Sequence, residues 1–326
     1  MTCEHRHYLI TGGAGFIGSH LARRLLSSGE SVTVIDDLST GSWDNIAPLA
    51  DQERFKAVIA SADDEALIER LVQKSDFVFH LASAVGVKLI VDEPVETVRR
   101  IIRPTERITD VCSKYRVPIL LTSTSEVYGK SDQIPFCEEA DVVIGPTSKR
   151  RWAYAVAKML DEFYLLAHFR KTGLPVRIVR LFNTVGPRQS AQYGMVLPRF
   201  VEAALAGETL YVYGDGKQRR CFSSVRDIVG GLITISRCEG AIGKVVNLGS
   251  NEEISIIDLA RRVIETTGSA SDIQLKSYDE AYGPNFDDMR RRVPSLDRAK
   301  ELIGWNPLDK LDDIIRQVIE DKKGMN

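Results

Sequence analysis

The chain has 326 residues, 44% of them hydrophobic, and a formal net charge of −2. That length allows one large α/β unit or two intimately joined lobes around a sizeable core. The near-neutral balance argues against nucleic acid or a membrane surface as partner, and no apolar run approaches the roughly 20 residues that span a bilayer. The stretch from Met1 to His7 lacks an apolar signal core, and five scattered cysteines (Cys3, Cys112, Cys137, Cys221, Cys238) form no Cys-x-x-Cys pair. They read as thiols in a reducing cytosol, so a cytoplasmic protein is expected. Cys3, His5 and His7 fit a flexible leader better than a ligand set, and no metal is assigned.

In chain order, an apolar run (Tyr8, Leu9, Ile10) ends in glycines at 12, 15 and 18, and a helical pattern (Phe16, Ile17, His20, Leu21, Leu25) begins at once. A strand turning sharply into a helix on glycines leaves unsatisfied backbone amides at the positive end of the helix dipole, which suits a pyrophosphate. Gly12 permits the turn, Gly15 lets phosphates approach, and Gly18 lets the helix pack close to the sheet. A second run, Val32 to Ile35, ends in Asp36-Asp37, about 20 residues on, where an acid takes a ribose diol. Asp36 directly follows the run and would repel a 2′-phosphate, so NAD is favoured over NADP. The alternative is a structural βαβ unit with an incidental glycine turn.

Phe77-Val78-Phe79 is a further strand, followed by His80-Leu81-Ala82 and a helix over 95–115. Pro118 to Leu121 is a buried strand leading into Thr122-Ser-Thr-Ser-Glu126. Apolar spacing through Met159, Leu160, Phe163, Leu166 and Ala167 predicts a helix over 152–171 that Gly173 and Pro175 end, and 176–181 is again a strand. Such alternation predicts an α/β fold: a Rossmann-type, doubly wound parallel sheet covered on both faces. After residue 182 polar and glycine-rich pieces (183–194, 213–218) interrupt short helices at 196–206 and 256–267, with one more sheet strand at 245–248. We therefore expect a dinucleotide-binding domain over 1–181, joined by 219–250, and a smaller, interleaved C-terminal substrate lobe over most of 182–326. The cleft between them is the expected substrate site. The chain has no internal repeat.

Tyr154-Ala-Val-Ala-Lys158 puts a phenol and an ammonium on one helix face. The ammonium would favour phenolate and poise Tyr154 as a general base, with the Thr124 hydroxyl holding a substrate hydroxyl while hydride passes to nicotinamide. Taken singly, Tyr154 reads as a partly buried aromatic and Lys158 as a solvated charge; the preceding cofactor motif favours chemistry. A second Tyr–Lys pair, Tyr213 and Lys217, lies across Gly214 and Gly216, where a regular helix is not expected, and is set aside.

With these residues the chain resembles the extended short-chain dehydrogenase/reductases of the NAD-dependent epimerase/dehydratase family, which act on nucleotide sugars. The resemblance covers nearly the whole chain. It rests on Thr11-Gly-Gly-Ala-Gly-Phe-Ile-Gly18, His80-Leu-Ala82, Ser123-Thr-Ser-Glu-Val-Tyr-Gly129, Tyr154 with Lys158, Phe182-Asn-Thr-Val-Gly-Pro-Arg188, and Tyr213 to Phe222. It implies that Gly12, Gly15, Phe16, Ile17, Gly18, Asp36, Asp63, Leu81 and Ala82 hold NAD, together with Tyr154 and Lys158. Asp64 beside Asp63 leaves that register open. The resemblance also implies that Asn183 and Arg220 bind the substrate diphosphate, and a guanidinium does match phosphate oxygens bidentately.

Thr124-Ser125-Glu126 selects the reaction. The family's 4,6-dehydratases have Asp where Ser125 stands, and simple 4-epimerases usually lack a carboxylate at Glu126. UDP-glucuronate decarboxylases are similar here, and they carry an arginine before a proline near the C-terminus, as in Arg292-Val293-Pro294. Oxidation at C4 makes a β-keto acid that loses CO₂ readily. Glu126 with Ser125 would manage the proton delivered to C5, and Arg292 would hold the carboxylate, although a run such as Arg290, Arg291 and Arg292, taken alone, is more often a solvated face. Departures from the family include Ile101 where many members carry asparagine, the stretch Val85 to Lys88, and Arg151-Trp152, which favours neither reaction. Lys88 is a candidate for a substrate acid or phosphate. The expected protein is a homodimeric, NAD-dependent enzyme on a UDP-sugar, pairing through the helices near 95–115 and 152–171. Decarboxylation of UDP-glucuronate or a related uronate comes first, 4-epimerisation of a UDP-sugar second, and a non-catalytic NAD sensor is the reading from another class.

Overall fold

Tyr8, Leu9 and Ile10 alternate between two hydrophobic layers, and that alternation organises the molecule. The computed structural model describes residues 5–83, 94–191, 195–282 and 288–324. Strands and helices follow one another as β1 (His7–Thr11), α1 (Phe16–Ser27), β2 (Ser31–Asp36), β3 (Phe55–Ile59), α2 (Glu65–Val72), β4 (Phe77–His80), α3 (Pro94–Tyr115), β5 (Ile119–Thr124), α4 (Trp152–Thr172) and β6 (Val176–Leu181). Then come β7 (Thr184–Val185), α5 (Val196–Leu205), β8 (Leu210–Tyr213), β9 (Arg219–Cys221), β10 (Ser223–Ser224), α6 (Val225–Arg237) and β11 (Val245–Leu248). The chain finishes with β12 (Glu253–Ser255), α7 (Ile256–Thr267), β13 (Ile273–Lys276), α8 (Tyr278–Tyr282), β14 (Arg291–Arg292), α9 (Asp297–Ile303) and α10 (Leu311–Gly324).

Seven strands form one parallel sheet in the order β3-β2-β1-β4-β5-β6-β11. Successive side chains point to opposite faces of a strand, so Tyr8, Ile10, Val34, Phe79 and Val246 meet α1, α6 and α9 on one side. Leu9, Ile35, Val78, Leu121 and Ile178 meet α2, α3 and α4 on the other. This is the doubly wound parallel sheet that the sequence predicts. A third core, among α5, α7, α10 and β8, belongs to the C-terminal part. The C-terminal part does not simply follow the sheet: β11 pairs with β6, and Leu296, Ala299 and Trp305 pack into the core beside α1.

The helix boundaries have local causes. Gly173 takes a left-handed conformation at the end of α4, and the Ser255 hydroxyl caps α7 by accepting from the Asp258 amide. The strand order reverses at β1, with β2 on one side and β4 on the other. A crevice therefore opens beyond the carboxyl ends of β1 and β4, the place where open α/β sheets bind ligands. Among the described residues no helix is long and apolar enough to cross a membrane.

Candidate active site

The crevice is one cavity of about 1130 Å³, running from the glycine turn after β1 to β9 and β14. Gly12 sits at φ +70, and a Cβ there would lie 2.8 Å from the Ala82 amide nitrogen; a Cβ on Gly18 would lie 2.2 Å from the Gly12 carbonyl oxygen. The close approach at Gly18 is thus to the turn itself, which tucks against the first turn of α1. No side chain caps α1, and its first residues, Phe16 and Ile17, line the cavity beside Gly12, Gly15 and Gly18.

Asp36, at the end of β2, is buried and accepts from the amides of Ala14 and Leu38, each at 2.9 Å. Burial pushes its carboxyl above the ordinary value against those two backbone bonds, so a hydroxyl donor arriving from a ligand would stabilise the charged form. Asp63 lines the cavity, whereas Asp64 caps α2 by accepting from the Leu67 amide at 3.0 Å. Leu81 and Ala82 close the other wall. Open helix-end amides, a buried acid and a cradle that side chains would fill suit a dinucleotide.

Further along, β5 runs into a short turn in which Thr124 accepts from the Glu126 amide at 3.2 Å. Tyr154, near the start of α4, is 8% exposed and packs on Ile101 and Ala157. The hydroxyls of Thr124 and Ser83 act on its phenol. The lowering expected from Lys158 is not what the site produces. Burial, and after it the charge of Glu126, hold the phenol well above its ordinary value, despite Thr124 and Ser83. Lys158 is fully buried and is not among the residues lining the cavity; its ammonium donates to Asp161 at 2.9 Å.

Glu126 opens the charged end. Arg292 donates to its Oε1 at 3.0 Å, and Arg151 Nη2 lies 3.4 Å away. Burial alone would raise Glu126, but the Arg151 and Arg292 guanidiniums outweigh it and hold the carboxyl below its ordinary range. Arg292 also donates to Asn183 Oδ1 at 2.8 Å, and its buried Nε has no hydrogen-bond partner among the described residues. Burial lowers this guanidinium to about 10. The solvated-face alternative describes Arg290 and Arg291, which are exposed and paired with Asp215 and Glu253. Arg292 turns inward because successive residues of β14 face opposite sides, and it sits level with Arg220 of β9.

Arg220 donates to Asp288 at 3.0 Å, and Asp288 also pairs with Arg151 at 2.9 Å. Among the described residues, the three guanidiniums of Arg151, Arg220 and Arg292 meet the two carboxylates of Glu126 and Asp288 on the wall beside Tyr154 and Ser125. Thr124, Ser125, Glu126, Tyr154, Asn183, Arg220 and Arg292 all line this one cavity. Lys88 lies outside the described residues. Sequence reasoning passed over Arg151, Asp288, Tyr278 and Ser83. The Tyr278 hydroxyl donates to Asp288 at 3.1 Å. Only the position of Arg151, one helical turn before Tyr154, could have marked it.

The family profile described as GDP-mannose 4,6 dehydratase matches residues 9–318. The chain is 38% identical over 313 residues to a UDP-N-acetyl-alpha-D-glucosaminuronate decarboxylase of Bacillus cytotoxicus, covering 96% of each. It is 34% identical to UDP-glucuronic acid decarboxylase 1 of Xenopus tropicalis, covering 97% of this chain and 72% of that one. The crystal structure of UDP-glucuronic acid 4-epimerase from Bacillus cereus, in complex with UDP-glucuronic acid and NAD, superposes with a TM-score of 0.88 at 25% identity, over 98% of this chain and 100% of that one. A match of this extent, on a chain whose glycine turn, Tyr154 and Glu126 face one cavity, shows that the protein belongs to the GDP-mannose 4,6 dehydratase group of the NAD-dependent epimerase/dehydratase family.

Proposed function

We propose that the enzyme oxidises a UDP-linked hexuronate, UDP-glucuronate or a close relative, at C4 and then decarboxylates it. The observation that carries this reading is Arg292: one guanidinium of a basic run, turned into the cavity between Glu126 and Asn183, with a buried Nε left over for an incoming anion. The decarboxylases among the relatives support it. When bound, NAD supplies the acceptor for the hydride that leaves C4.

The chain's own groups do the rest. Thr124 orients the C4 hydroxyl, and Tyr154, which must first give up its own proton as cofactor and sugar fill the cavity, takes the hydroxyl proton as phenolate. Arg292 holds the C6 carboxylate across from the C4 carbonyl. The C5–C6 bond then breaks, its electron pair is delocalised onto the C4 oxygen, and CO₂ departs. Glu126 with Ser125 manages the proton added at C5. At rest Glu126 is ionised, but a substrate carboxylate drawn to Arg292 competes for that guanidinium and repels Glu126, raising its proton affinity. Arg220 and Asn183 bind the diphosphate, with Arg151 and Asp288 holding the guanidiniums apart. Gly12, Gly15, Phe16, Ile17, Gly18, Asp36, Asp63, Leu81 and Ala82 hold NAD.

On this reading residues 1–181 with 219–250 form the NAD-holding domain, and most of 182–326 the substrate lobe. A homodimer is supported by Val156, Leu160 and Phe163, an exposed apolar stripe at helical spacing on α4, with exposed Val95 on neighbouring α3. The four described cysteines are free thiols, which suits a cytoplasmic enzyme.

Incubation with UDP-glucuronate and NAD, followed by mass analysis of the product, tests the assignment. Loss of the mass of CO₂ is expected where the hydride returns to C4, and of CO₂ plus two hydrogens where the 4-keto pentose is released. An unchanged mass with inverted C4 would replace it with the 4-epimerase reading, and NAD binding without turnover of any UDP-sugar would leave a sensor.

A further inference from the structure

Lys158, four residues after Tyr154 and on the same face of α4, belongs to a chain of buried polar groups that reaches the glycine turn. Its ammonium donates to Asp161 at 2.9 Å, and both side chains are only 2% exposed. The Thr105 hydroxyl of α3 donates to the Ile101 carbonyl at 2.9 Å, lies 3.0 Å from His80 Nε2, and favours the ionised form of Asp161. His80 Nδ1 lies 2.7 Å from the Thr11 hydroxyl, which accepts from the Ala82 amide at 3.1 Å. Five side chains thus tie the catalytic helix to the ends of β4 and β1, where the cofactor turn begins.

We propose that Asp161 is a positioning residue for the reaction: with Thr105 it anchors the Lys158 ammonium one helical turn from Tyr154 and offsets most of its charge, so that the poise of the base is set by the pair and not by lysine alone. The inference rests on Tyr154 being the base of the proposed reaction. The charged groups facing this region are few. Glu126, from the turn after β5, and Asp161, from α4, both act on Tyr154 in the raising direction. His80, from β4, faces Lys158, and Glu162, from α4, faces Asp161 while paired with Arg180 of β6 at 2.7 Å. Among the described residues, α3 contributes Ile101 and Thr105 here, both uncharged. A carboxylate one turn from a buried ammonium screens it strongly.

The test compares NAD-loaded parent, Asp161→Asn and Asp161→Glu. Without the carboxylate the ammonium acts on the phenol uncompensated. The acid limb of kcat/KM, measured with the UDP-sugar the parent turns over, should move down by about one pH unit in Asp161→Asn, and return in Asp161→Glu. The tyrosinate difference spectrum, read against Tyr154→Phe in each background, follows the same ionisation with no sugar present. A wrong substrate assignment therefore leaves this readout intact. A pH profile that keeps its position while the rate merely scales down overturns the proposal. Asp161→Ser repeats the neutral test if the amide is not accommodated. Should neither neutral variant fold while Asp161→Glu does, the carboxylate serves only to bury the lysine, and the proposal fails.

Discussion

At Tyr154 two carboxylates and burial raise the phenol while two hydroxyls lower it, so the residue rests protonated and its work depends on what enters the cavity. Tyr154→Phe should cut turnover by about 10²–10⁴-fold, far more than equilibrium dialysis finds NAD binding weakened; equal loss of both would remove the residue from the chemistry. Arg292 makes a sharper prediction about substrate. Arg292→Lys keeps a charge but cannot bridge Glu126 and Asn183, and a charge-assisted bond of about 1.5–3 kcal/mol is at stake. We expect KM for the uronate to rise by roughly tenfold to a hundredfold, with binding of the matching neutral UDP-hexose hardly altered. Equal weakening of both would assign Arg292 to the diphosphate. The glycines, Asp36, Tyr154 and Glu126 were legible as residues because each sits in a local pattern. Arg151 and Asp288 were not: their partners come from other parts of the chain, as Glu126 and Arg292 do at 166 positions apart.

At the scale of elements, the turn between β1 and α1 leaves no room for side chains. Gly18→Ala should weaken NAD binding about tenfold or more, since a Cβ there meets the Gly12 carbonyl and relief costs about 1–3 kcal/mol; titration calorimetry showing parent affinity would contradict that packing argument. The stripe on α4 leads to another expectation. If the parent sediments as the proposed dimer, Leu160→Glu with Phe163→Glu should convert it to monomer, because charges on an exposed apolar face oppose its burial; two dimers would place the interface elsewhere, and a monomeric parent would remove the dimer. Long periodic elements such as α3, α4 and β6 could be read from the sequence to within a residue or two. The strand beginning near Pro118 runs further than its apolar stretch, to Thr124, because Ser123 is buried on Glu162 and Thr124 faces the cavity. β3 and β14 gave little signal. Phe55-Lys-Ala-Val-Ile59 is an edge strand with a lysine in it, and β14 is two arginines whose pairing with β9 only the tertiary fold supplies.

For the whole molecule, the buried polar chain couples stability to pH. Burial and the neighbouring Lys158 lower His80 from 6.5 to about 3. The folded value lies below the unfolded one, so the unfolded chain takes up the proton first and stability falls as pH drops. His80 contributes a loss of about 1.4 kcal/mol per pH unit between those two values. Burial lowers His20 to about 4, which acts in the same direction. Thermal melts should therefore be level above pH 6.5 and decline steadily below it; a midpoint unchanged through that window would mean these histidines are not buried neutral. The same architecture places the cofactor turn, the phenol and the arginine wall around one cavity, and the central claim is that a uronate bound there loses its carboxyl group after oxidation at C4. The most direct measurement uses UDP-glucuronate labelled in the C6 carboxyl, with NAD. Labelled CO₂ should be released by the parent and not by Tyr154→Phe; a parent that retains the label while inverting C4 would contradict the account.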